Sequence, residues 1–262
     1  MLCGHRDVDM GVVASWSVLR FLPGARLFIH EDGTLQERDV ALWRRAIPGL
    51  ELVAAAHGNE LASKTLRDLP TLRNIRATQL YGRKLVDVHL IGNSRKVILM
   101  DSDVICFRDP AEARQCALAT DRAYTWNRDT RNWYVASPGE LGEITGCAVA
   151  DCLNAGFAVV PRLNEREFQH LEATAVAISH LGASHCWMEQ TLYAFLAAKE
   201  PGSKPLGPGY NVVVGGSDES QVLRHYVGNA TIRPLFFLEG VARLESQIAI
   251  LDTSRGPVAQ RN

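Results

Sequence analysis

The chain has 262 residues, 47% of them hydrophobic and 22% charged, and a formal net charge of -1 at pH 7. This composition supplies enough apolar side chains for a sizeable core and excludes a largely disordered chain. A near-neutral charge provides no basic surface for a phosphate backbone, so we expect no nucleic-acid partner. The length favours one domain that spans residues 1–262.

The cysteines and the N-terminal residues bear on the cellular compartment. No cysteine pair has CxxC spacing and no cysteine–histidine cluster has the spacing of a zinc site, so we expect reduced thiols. Arg6, Asp7 and Asp9 exclude a secretory signal, and no apolar run approaches the roughly 20 residues that a membrane helix needs. We therefore expect a cytoplasmic protein. The six cysteines are Cys3, Cys106, Cys116, Cys147, Cys152 and Cys186.

The N-terminal part of the chain alternates between strand and helix patterns. A strand at 1–3 is short, so we expect the natural chain to begin upstream of it. A helix, a strand at 27–29, a helix at 37–46 and a strand at 51–55 follow. This βαβαβ order predicts a parallel sheet. The residues at helical spacing in the first helix are Val12, Val13, Trp16, Leu19 and Phe21.

A purely apolar strand follows residues 60–90, which we expect to be mainly helical. The run 97–100 predicts a strand buried on both faces, and it leads into Asp101 and Asp103. Because strand side chains alternate, the two carboxylates point to the same side, at the edge where open α/β sheets bind ligands. Carboxylates suit a hard divalent cation such as Mg²⁺ or Mn²⁺, and a cation at this edge can hold a diphosphate.

The C-terminal half has a less regular pattern. Asn164 and Glu167 have the spacing of a capping box and predict a helix that ends near residue 180. The other predicted elements are a strand at 156–160, a helix at 187–199 and a strand at 222–226.

Four blocks occur in a fixed order along the chain: the strand with Asp101 and Asp103, then Asn154-Ala155-Gly156, then Glu189-Gln190, then His225-Tyr226-Val227-Gly228, with Arg233-Pro234 after them. In this order they resemble the GT-A glycosyltransferases, most closely those of family 8. That family has an apolar strand into Asp-x-Asp, an Asn-Ala-Gly segment, an Asp-Gln pair that opens a helix, and a late His-x-x-Gly before Lys-Pro.

The resemblance implies a fold and an activity. The implied fold is GT-A: an α/β fold with a Rossmann-like, mostly parallel central sheet flanked by helices. The implied activity is metal-dependent transfer of a sugar from a UDP-sugar to a hydroxyl acceptor, with retention of configuration. Residues 1–110 would form the half that binds nucleotide and metal, and residues 111–262 the half that binds sugar and acceptor. The sequence identifies neither the sugar nor the acceptor.

The resemblance also implies roles for individual residues. Mn²⁺ or Mg²⁺ would be held across the two donor phosphates and act as a Lewis acid toward the departing nucleotide. The implied metal ligands are Asp101, Asp103 and His225. The implied catalytic residues are Gln190, near the anomeric carbon, and Asp103. The implied donor-binding residues are Gly4, His5, Lys84, Asp101, Asn154, Gly156 and Gly228.

Two positions depart from the family pattern, and one further position matches it. Glu189 stands where the family has Asp, which keeps the charge on a longer arm. Arg233 lies five positions after Gly228, whereas the family places its basic residue three positions after the glycine. That displacement puts a phosphate contact by Arg233 in question. Lys84 resembles the basic residue that the family places before its Asp-x-Asp, where it would act as a point charge near the phosphates.

A second motif suggests a different enzyme class. The segment 27–35 resembles the first motif of the haloacid dehalogenase-like phosphatases, an apolar strand before Asp-x-Asp-Gly-Thr. His30 occupies the position of that family's nucleophilic Asp, and an imidazole cannot replace that carboxylate in the same chemistry. As a turn after a strand, the same segment would let Asp32 stabilise the start of the next helix.

Two further alternatives share the nucleotide site. The departures at Glu189 and Arg233 leave open a protein that binds a nucleotide sugar without turnover. A nucleotidyltransferase would carry a Gly-rich basic loop after the first strand, and residues 3–9 contain none.

Residues 124–143 are the predicted acceptor or lid segment because they are rich in aromatic and turn residues. Their Trp126, Trp133 and Tyr134 are interpreted either as a sugar-stacking platform or as core.

Overall fold

The computed structural model of the chain describes residues 1–181, 187–215, 219–227 and 232–247. Within these residues, no helix combines the length and the apolar character that crossing a membrane requires. The cysteines that fall in the described part are free, as the sequence predicted, and Cys186 lies outside it.

The N-terminal part is the predicted parallel sheet. Strands β1 (Leu2–Cys3), β2 (Phe28–Glu31) and β3 (Glu51–Val53) pair in this order, and both pairings are parallel. The helices α1 (Val8–Leu19) and α2 (Glu37–Ala46) connect them. Parallel neighbours need such crossovers, so the alternation of patterns in the sequence determined this topology.

Three helices then lead to the second sheet and confirm that the region before it is mainly helical: α3 (Ala55–Thr65), α4 (Pro70–Thr78) and α5 (Leu80–Asp87). Arg76 of α4 donates to both carboxylate oxygens of Asp87 in α5, at 2.6 and 2.9 Å. Both side chains are buried, so the pair fixes α5 against α4. This matters for the site because α5 carries Lys84.

The described residues contain six further strands: β4 (Lys96–Met100), β5 (Val104–Cys106), β6 (Thr125–Arg128), β7 (Leu153–Pro161), β8 (Lys204–Pro205) and β9 (Leu223–His225). A four-stranded sheet has the order β4-β7-β6-β8, with β7 antiparallel to both of its neighbours. Strands β5 and β9 form a separate antiparallel pair.

Strand β4 is buried less evenly than its apolar run predicted. Val97 and Ile98 are only partly buried, whereas Leu99 and Met100 are buried. The reason is its position: among the described strands β4 lies at the edge of its sheet and pairs only with the antiparallel β7. The predicted β4 end is nevertheless correct, since the strand stops at Met100 and Asp101 follows it directly.

The remaining helices are α6 (Ala111–Leu118), α7 (Pro138–Thr145), α8 (Glu165–Ile178), α9 (Met188–Lys199) and α10 (Arg233–Leu235), which continues as a π-helix at Phe236–Val241. The predicted capping box at the start of α8 is confirmed. Asn164 Oδ1 accepts from the Glu167 amide at 3.1 Å, and Glu167 Oε2 accepts from the Asn164 amide at 2.7 Å.

One hydrophobic cluster connects the two sheets. Cys3 of β1 and Ile29 of β2 belong to the same buried cluster as Met100 of β4 and Phe157 and Val159 of β7. The edge of the parallel sheet therefore packs beside the mixed sheet, and residues that follow β1, β2 and β4 are brought to one side of the molecule.

Candidate metal and nucleotide-sugar site

Asp101, Asp103 and His225 converge at the ends of three strands. Asp101 follows β4, Asp103 precedes β5, and His225 ends β9. The β5–β9 register places Val104 opposite His225, and the carbonyl of Asp103 accepts from the Tyr226 amide at 2.8 Å. His225 Nε2 lies 3.1 Å from Asp103 Oδ1 and 3.9 Å from Asp101 Oδ2.

These three groups form a donor set for a hard cation. One ligand atom from each residue lies within 4.8 Å of the others, so a single ion can be held among them. Two carboxylate oxygens and one imidazole nitrogen suit Mn²⁺, and the carboxylates suit Mg²⁺. The side chains of Asp101 and Asp103 thus point to the same side of the chain, as the sequence predicted.

His225 and Asp103 shift each other's pKa in opposite directions. Burial alone would lower the pKa of His225, but the charge of Asp103 and their hydrogen bond raise it above its usual range. For Asp103 burial would raise the pKa, yet the facing His225 lowers it. Each group therefore favours the charged form of the other.

The other ring nitrogen of His225 is held by a chain of hydrogen bonds. Asn154 Oδ1 lies 3.0 Å from His225 Nδ1 and also accepts from the Gly156 amide at 2.8 Å. Asn154 Nδ2 donates to Asp129 Oδ2 at 2.7 Å. Since a carboxylate only accepts, Asp129 fixes which end of the Asn154 amide is the oxygen. Nδ1 of His225 must then carry a proton, and Nε2 is the atom left for a cation.

Gly156 leaves room for the His225 ring. A Cβ at this position would lie 2.0 Å from His225 Cε1, which no side chain can accommodate. The Gly156 carbonyl also accepts from the Asp101 amide at 2.8 Å. The Asn-Ala-Gly segment therefore supports the cluster through backbone and space as well as through the amide of Asn154.

Lys84 is buried beside the cluster. Its Nζ donates to Asp101 Oδ1 at 2.7 Å and to the carbonyl of Ala155 at 3.3 Å, and it lies 3.3 Å from Glu189 Oε1. Burial would lower the pKa of Lys84, but the carboxylates of Asp101 and Glu189 raise it. Lys84 is a fixed positive charge between the metal cluster and α9.

Glu189 and Gln190 lie in the first turn of α9, in agreement with the prediction that they lie at the start of a helix. Burial raises the pKa of Glu189 to about 7, with Lys84 opposing the shift. Glu189 Oε1 has no hydrogen-bond partner in the described structure, because Lys84 pairs with it outside hydrogen-bonding geometry. Gln190 Oε1 accepts from the Ala155 amide at 3.2 Å, and its Nε2 donates to the carbonyl of Trp133 at 3.1 Å.

All of these groups line one cavity of about 890 Å³. Asp101, Asp103 and His225 share this cavity with residues from several elements. Gly4 and Asp32 come from the ends of β1 and β2, and Asp129 and Gln190 come from the mixed sheet and α9. A cavity of this size is typical of small-molecule sites.

The aromatic residues of segment 124–143 divide between core and cavity. Trp126 and Tyr134 are buried in the core, where the Tyr134 hydroxyl donates to the carbonyl of Ala150 at 2.6 Å. Trp133 instead lines the cavity, with its ring 5.6 Å from that of Trp187. The guanidinium of Arg131 lies 3.5 Å from the centre of the Trp133 ring. Only Trp133 of the three predicted aromatics is placed to contact a ligand.

At the β1 end, Gly4 lines the cavity and His5 does not. The His5 ring hydrogen-bonds Asp39 Oδ2 at 2.7 Å, so its side chain is engaged with α2. Arg233 lines the cavity despite its displaced position in the sequence, and it pairs with Asp7. Burial would lower the pKa of Arg233, but Asp7 raises it and the charge of Asp103 contributes.

The second predicted motif has a structural role. His30 is buried inside β2, and burial lowers its pKa to about 3, so the position of the phosphatase nucleophile holds a neutral imidazole outside the cavity. The prediction that Asp32 stabilises the next helix is wrong. Helix α2 begins only at Glu37, where Asp39 accepts from the Gln36 amide at 2.8 Å, and Asp32 bonds to Thr34 instead.

The structure brings together most of the residues singled out from the sequence. Gly228 lies outside the described residues. Sequence reasoning missed Asp129, although an Asp directly after the strand that begins at Tyr124-Thr125-Trp126 was a signal of the same kind as Asp101. It also missed Asp7 and Asp32 as cavity residues. The predicted residues that line the cavity are Gly4, Lys84, Asp101, Asp103, Asn154, Gly156, Gln190 and His225.

Comparison with known proteins places the fold. No family model matches the chain, and no curated protein matches its sequence. Mouse xyloside xylosyltransferase 1 superposes with a TM-score of 0.54 at 11% identity, covering 86% of this chain and 93% of the other. The galactosyltransferase LgtC, with donor and acceptor sugar analogues, superposes with a TM-score of 0.55 at 16% identity, covering 87% and 86%. The chain has a GT-A fold. An active-site mutant of LgtC superposes with a TM-score of 0.54 at 15% identity, again covering 87% of this chain and 86% of the other.

Proposed function

We propose that the protein is a glycosyltransferase that moves a sugar from a UDP-sugar to a hydroxyl acceptor and requires Mn²⁺ or Mg²⁺. The observation that carries this proposal is that Asp101, Asp103 and His225 come within reach of one ion and line the cavity. The similarity in fold to two glycosyltransferases supports it. The cavity draws residues from both 1–110 and 111–262, which supports a single functional domain.

The cluster would hold the cation, and Lys84 and Arg233 would complete the positive charge around a diphosphate. When bound, the cation neutralises charge that develops on the departing nucleoside diphosphate. Asp101 and Asp103 supply the anionic ligands, and His225 supplies Nε2. Lys84 keeps Asp101 in place through its 2.7 Å hydrogen bond, so its contribution to phosphate binding is chiefly electrostatic.

The donor sugar would lie on the side of Glu189, Gln190 and Trp133. Gln190 uses one hydrogen of its Nε2 for Trp133, so the second remains for a sugar hydroxyl near the anomeric carbon. Glu189 Oε1 is buried and lies 3.3 Å from Lys84 Nζ, so Glu189 would act on the donor through Lys84 rather than by direct contact with the sugar. Asn154 is engaged on three sides and acts mainly through His225. The Trp133 and Trp187 rings offer the acceptor an aromatic face.

The proposal is tested by thermal unfolding of the protein with a panel of nucleotide sugars, in Mn²⁺ and in chelator. A ligand that binds only the folded state raises the unfolding temperature. We expect one uridine-linked sugar to do so with Mn²⁺ and the effect to disappear on chelation. A protein that is stabilised by no nucleotide sugar would contradict the proposal.

Turnover separates an enzyme from a protein that only binds. We expect Asp103→Asn to keep the fold and lose metal-dependent transfer, because the variant removes one charged ligand at a strand end. The exposed Asp68→Asn is the matched control. Full transfer by folded Asp103→Asn would refute the metal site, and stabilisation without transfer by the wild-type protein would show a binding protein. Retention is expected and is read from the anomeric configuration of the product.

A further inference from the structure

Lys84 lies between two carboxylates that hold it unequally. Its Nζ donates to Asp101 Oδ1 at 2.7 Å, whereas the buried Glu189 Oε1 lies 3.3 Å away and has no hydrogen-bond partner among the described residues. A buried carboxylate oxygen without a hydrogen bond is unfavourable, because it has lost water and gained no donor in return. The Lys84 ammonium would satisfy Glu189 Oε1 by a small movement away from Asp101.

A cation at the proposed metal site would weaken the bond between Lys84 and Asp101. Asp101 Oδ2 faces His225 Nε2 at 3.9 Å, and Oδ1 holds Lys84, so the cation and the ammonium would share one carboxylate. Like charges so close together repel strongly in a buried site, where little water screens them. The coordinated carboxylate also becomes a weaker hydrogen-bond acceptor, since its negative charge is drawn toward the cation. A cation at Asp101 therefore favours departure of the ammonium.

The surroundings leave the ammonium as the group that moves. The Asp101 amide donates to the carbonyl of Gly156 at 2.8 Å, which fixes the backbone of that residue. Helix α5, which carries Lys84, is held against α4 by the buried pair of Arg76 and Asp87. The four-carbon stem of a lysine is flexible, so Nζ can turn while both backbones stay in place.

We propose that Glu189 is a positioning residue for the metal site: it accepts the Lys84 ammonium when a divalent cation binds Asp101. This inference rests on the proposed function, since it assumes a cation at Asp101, Asp103 and His225. In the structure the ammonium bonds to Asp101, and with a cation there it would bond to Glu189. Both buried carboxylates then keep a positive partner, so Glu189 raises the affinity of the site for the cation without contacting it.

Calorimetric titration of Mn²⁺ tests the affinity. Glu189→Gln keeps the shape of the side chain and removes its charge, so we expect Mn²⁺ to bind about 10- to 100-fold more weakly than to wild type. Adding Lys84→Met should restore the affinity, because no ammonium then has to leave Asp101. The exposed Glu143→Gln is the matched control, and thermal unfolding checks that each variant is folded. The titrations are made without nucleotide at pH 8, since the pKa of Glu189 is about 7.

A spectroscopic readout follows the ammonium itself. In protein labelled with ¹⁵N and ¹³C, the scalar coupling across a hydrogen bond joins a lysine Nζ to the carboxylate carbon that accepts from it, Cγ of Asp or Cδ of Glu. When diamagnetic Mg²⁺ is added, we expect the Lys84 coupling to pass from an Asp carbon to a Glu carbon. Lys96 is the internal control, because it is also buried and donates to Asp121 Oδ1 at 2.6 Å, at the opposite end of β4 from Asp101. The lysines to be resolved are Lys64, Lys84, Lys96, Lys199 and Lys204.

Three results would overturn the proposal and leave the proposed function in place. The first is a Mn²⁺ affinity of folded Glu189→Gln within about twofold of wild type. The second is a double variant, Glu189→Gln with Lys84→Met, that binds Mn²⁺ as weakly as Glu189→Gln alone. The third is a Lys84 coupling that stays with an Asp carbon at saturating Mg²⁺. If the wild type binds neither Mn²⁺ nor Mg²⁺, the metal site itself fails, and the proposed function fails with it.

Discussion

If Asp101, Asp103 and His225 hold a cation as proposed, we expect the hydrogen-bond chain behind His225 to make metal affinity depend on Asp129, which is not itself a proposed ligand. In Asp129→Asn, the amide of Thr130 still requires an acceptor at the Oδ1 position, where it now donates at 2.7 Å. The new NH₂ group therefore faces the NH₂ group of Asn154. Two donors cannot bond to each other, so Asn154 must either lose this partner or turn its amide over.

Loss of this partner alone frees the Asn154 side chain, whereas a turned-over amide also disturbs the protonation of His225. If the Asn154 amide turns over, its NH₂ group meets the Gly156 amide and His225 Nδ1, and the proton of the ring moves to Nε2, the atom that faces the cation. Two hydrogen bonds are lost, at about 1 kcal/mol each, so about 2 kcal/mol of metal binding free energy is at risk. This corresponds to about 30-fold in affinity, within the range known for groups that orient metal ligands.

The assay is calorimetric titration of Mn²⁺ without nucleotide, for wild type, Asp129→Asn and the exposed control Asp68→Asn. The double variant Asp129→Asn with Asn154→Asp restores a donor facing an acceptor and leaves a carboxylate oxygen for His225 Nδ1. We expect it to regain part of the lost affinity. Mn²⁺ affinity of folded Asp129→Asn within twofold of wild type would refute the reasoning.

Three further outcomes are expected. Gly156→Ala displaces the His225 ring, so calorimetry should find at least about tenfold weaker Mn²⁺ binding in a folded protein; unchanged binding would contradict the close contact. Lys84→Met leaves Glu189 without its cationic partner, so urea unfolding at pH 8 should find the variant about 3–5 kcal/mol less stable than wild type. The deficit should be smaller at pH 5, where Glu189 is protonated. An equal deficit at both pH values would contradict this. Burial lowers the pKa of His89 to about 3, so its unfolded form binds a proton below pH 6.5 and the folded form does not. Stability from this residue is complete above pH 6.5 and falls by about 2 kcal/mol at pH 5, a loss that urea unfolding should find reduced in His89→Gln.

Local sequence patterns predicted the elements better than the pairing of the sheets. The helix at 37–46 and the capping box at Asn164 were correct because both depend on neighbouring residues. The apolar run before Asp101 was correctly assigned as a strand, but its burial on both faces was not. Whether such a strand lies at an edge depends on β7, which follows about fifty residues later, and no local signal specifies that partner.

In the candidate site, too, some residues could be predicted from the sequence and others depend on distant parts of the chain. The order of motifs predicted Asp101, Asp103 and His225 together, and the structure brings them within reach of one ion. The place of Asp129 directly after β6 was a signal in the sequence, but its role could not be predicted, since that role depends on the orientation of the Asn154 amide in another strand. His5 shows the opposite case, where a residue next to a site residue bonds elsewhere.

The β5–β9 pair has a consequence for how the protein folds. It joins residue 104 to residue 225, so His225, the third proposed ligand, reaches the two carboxylates only after the intervening chain has been synthesised and closed into one long loop. Contacts of such high sequence separation form late in folding. A cation can then contribute little to the folding rate and acts mainly by slowing the opening of the finished structure, so the resistance of the protein to proteolysis should depend on metal more strongly than its speed of refolding.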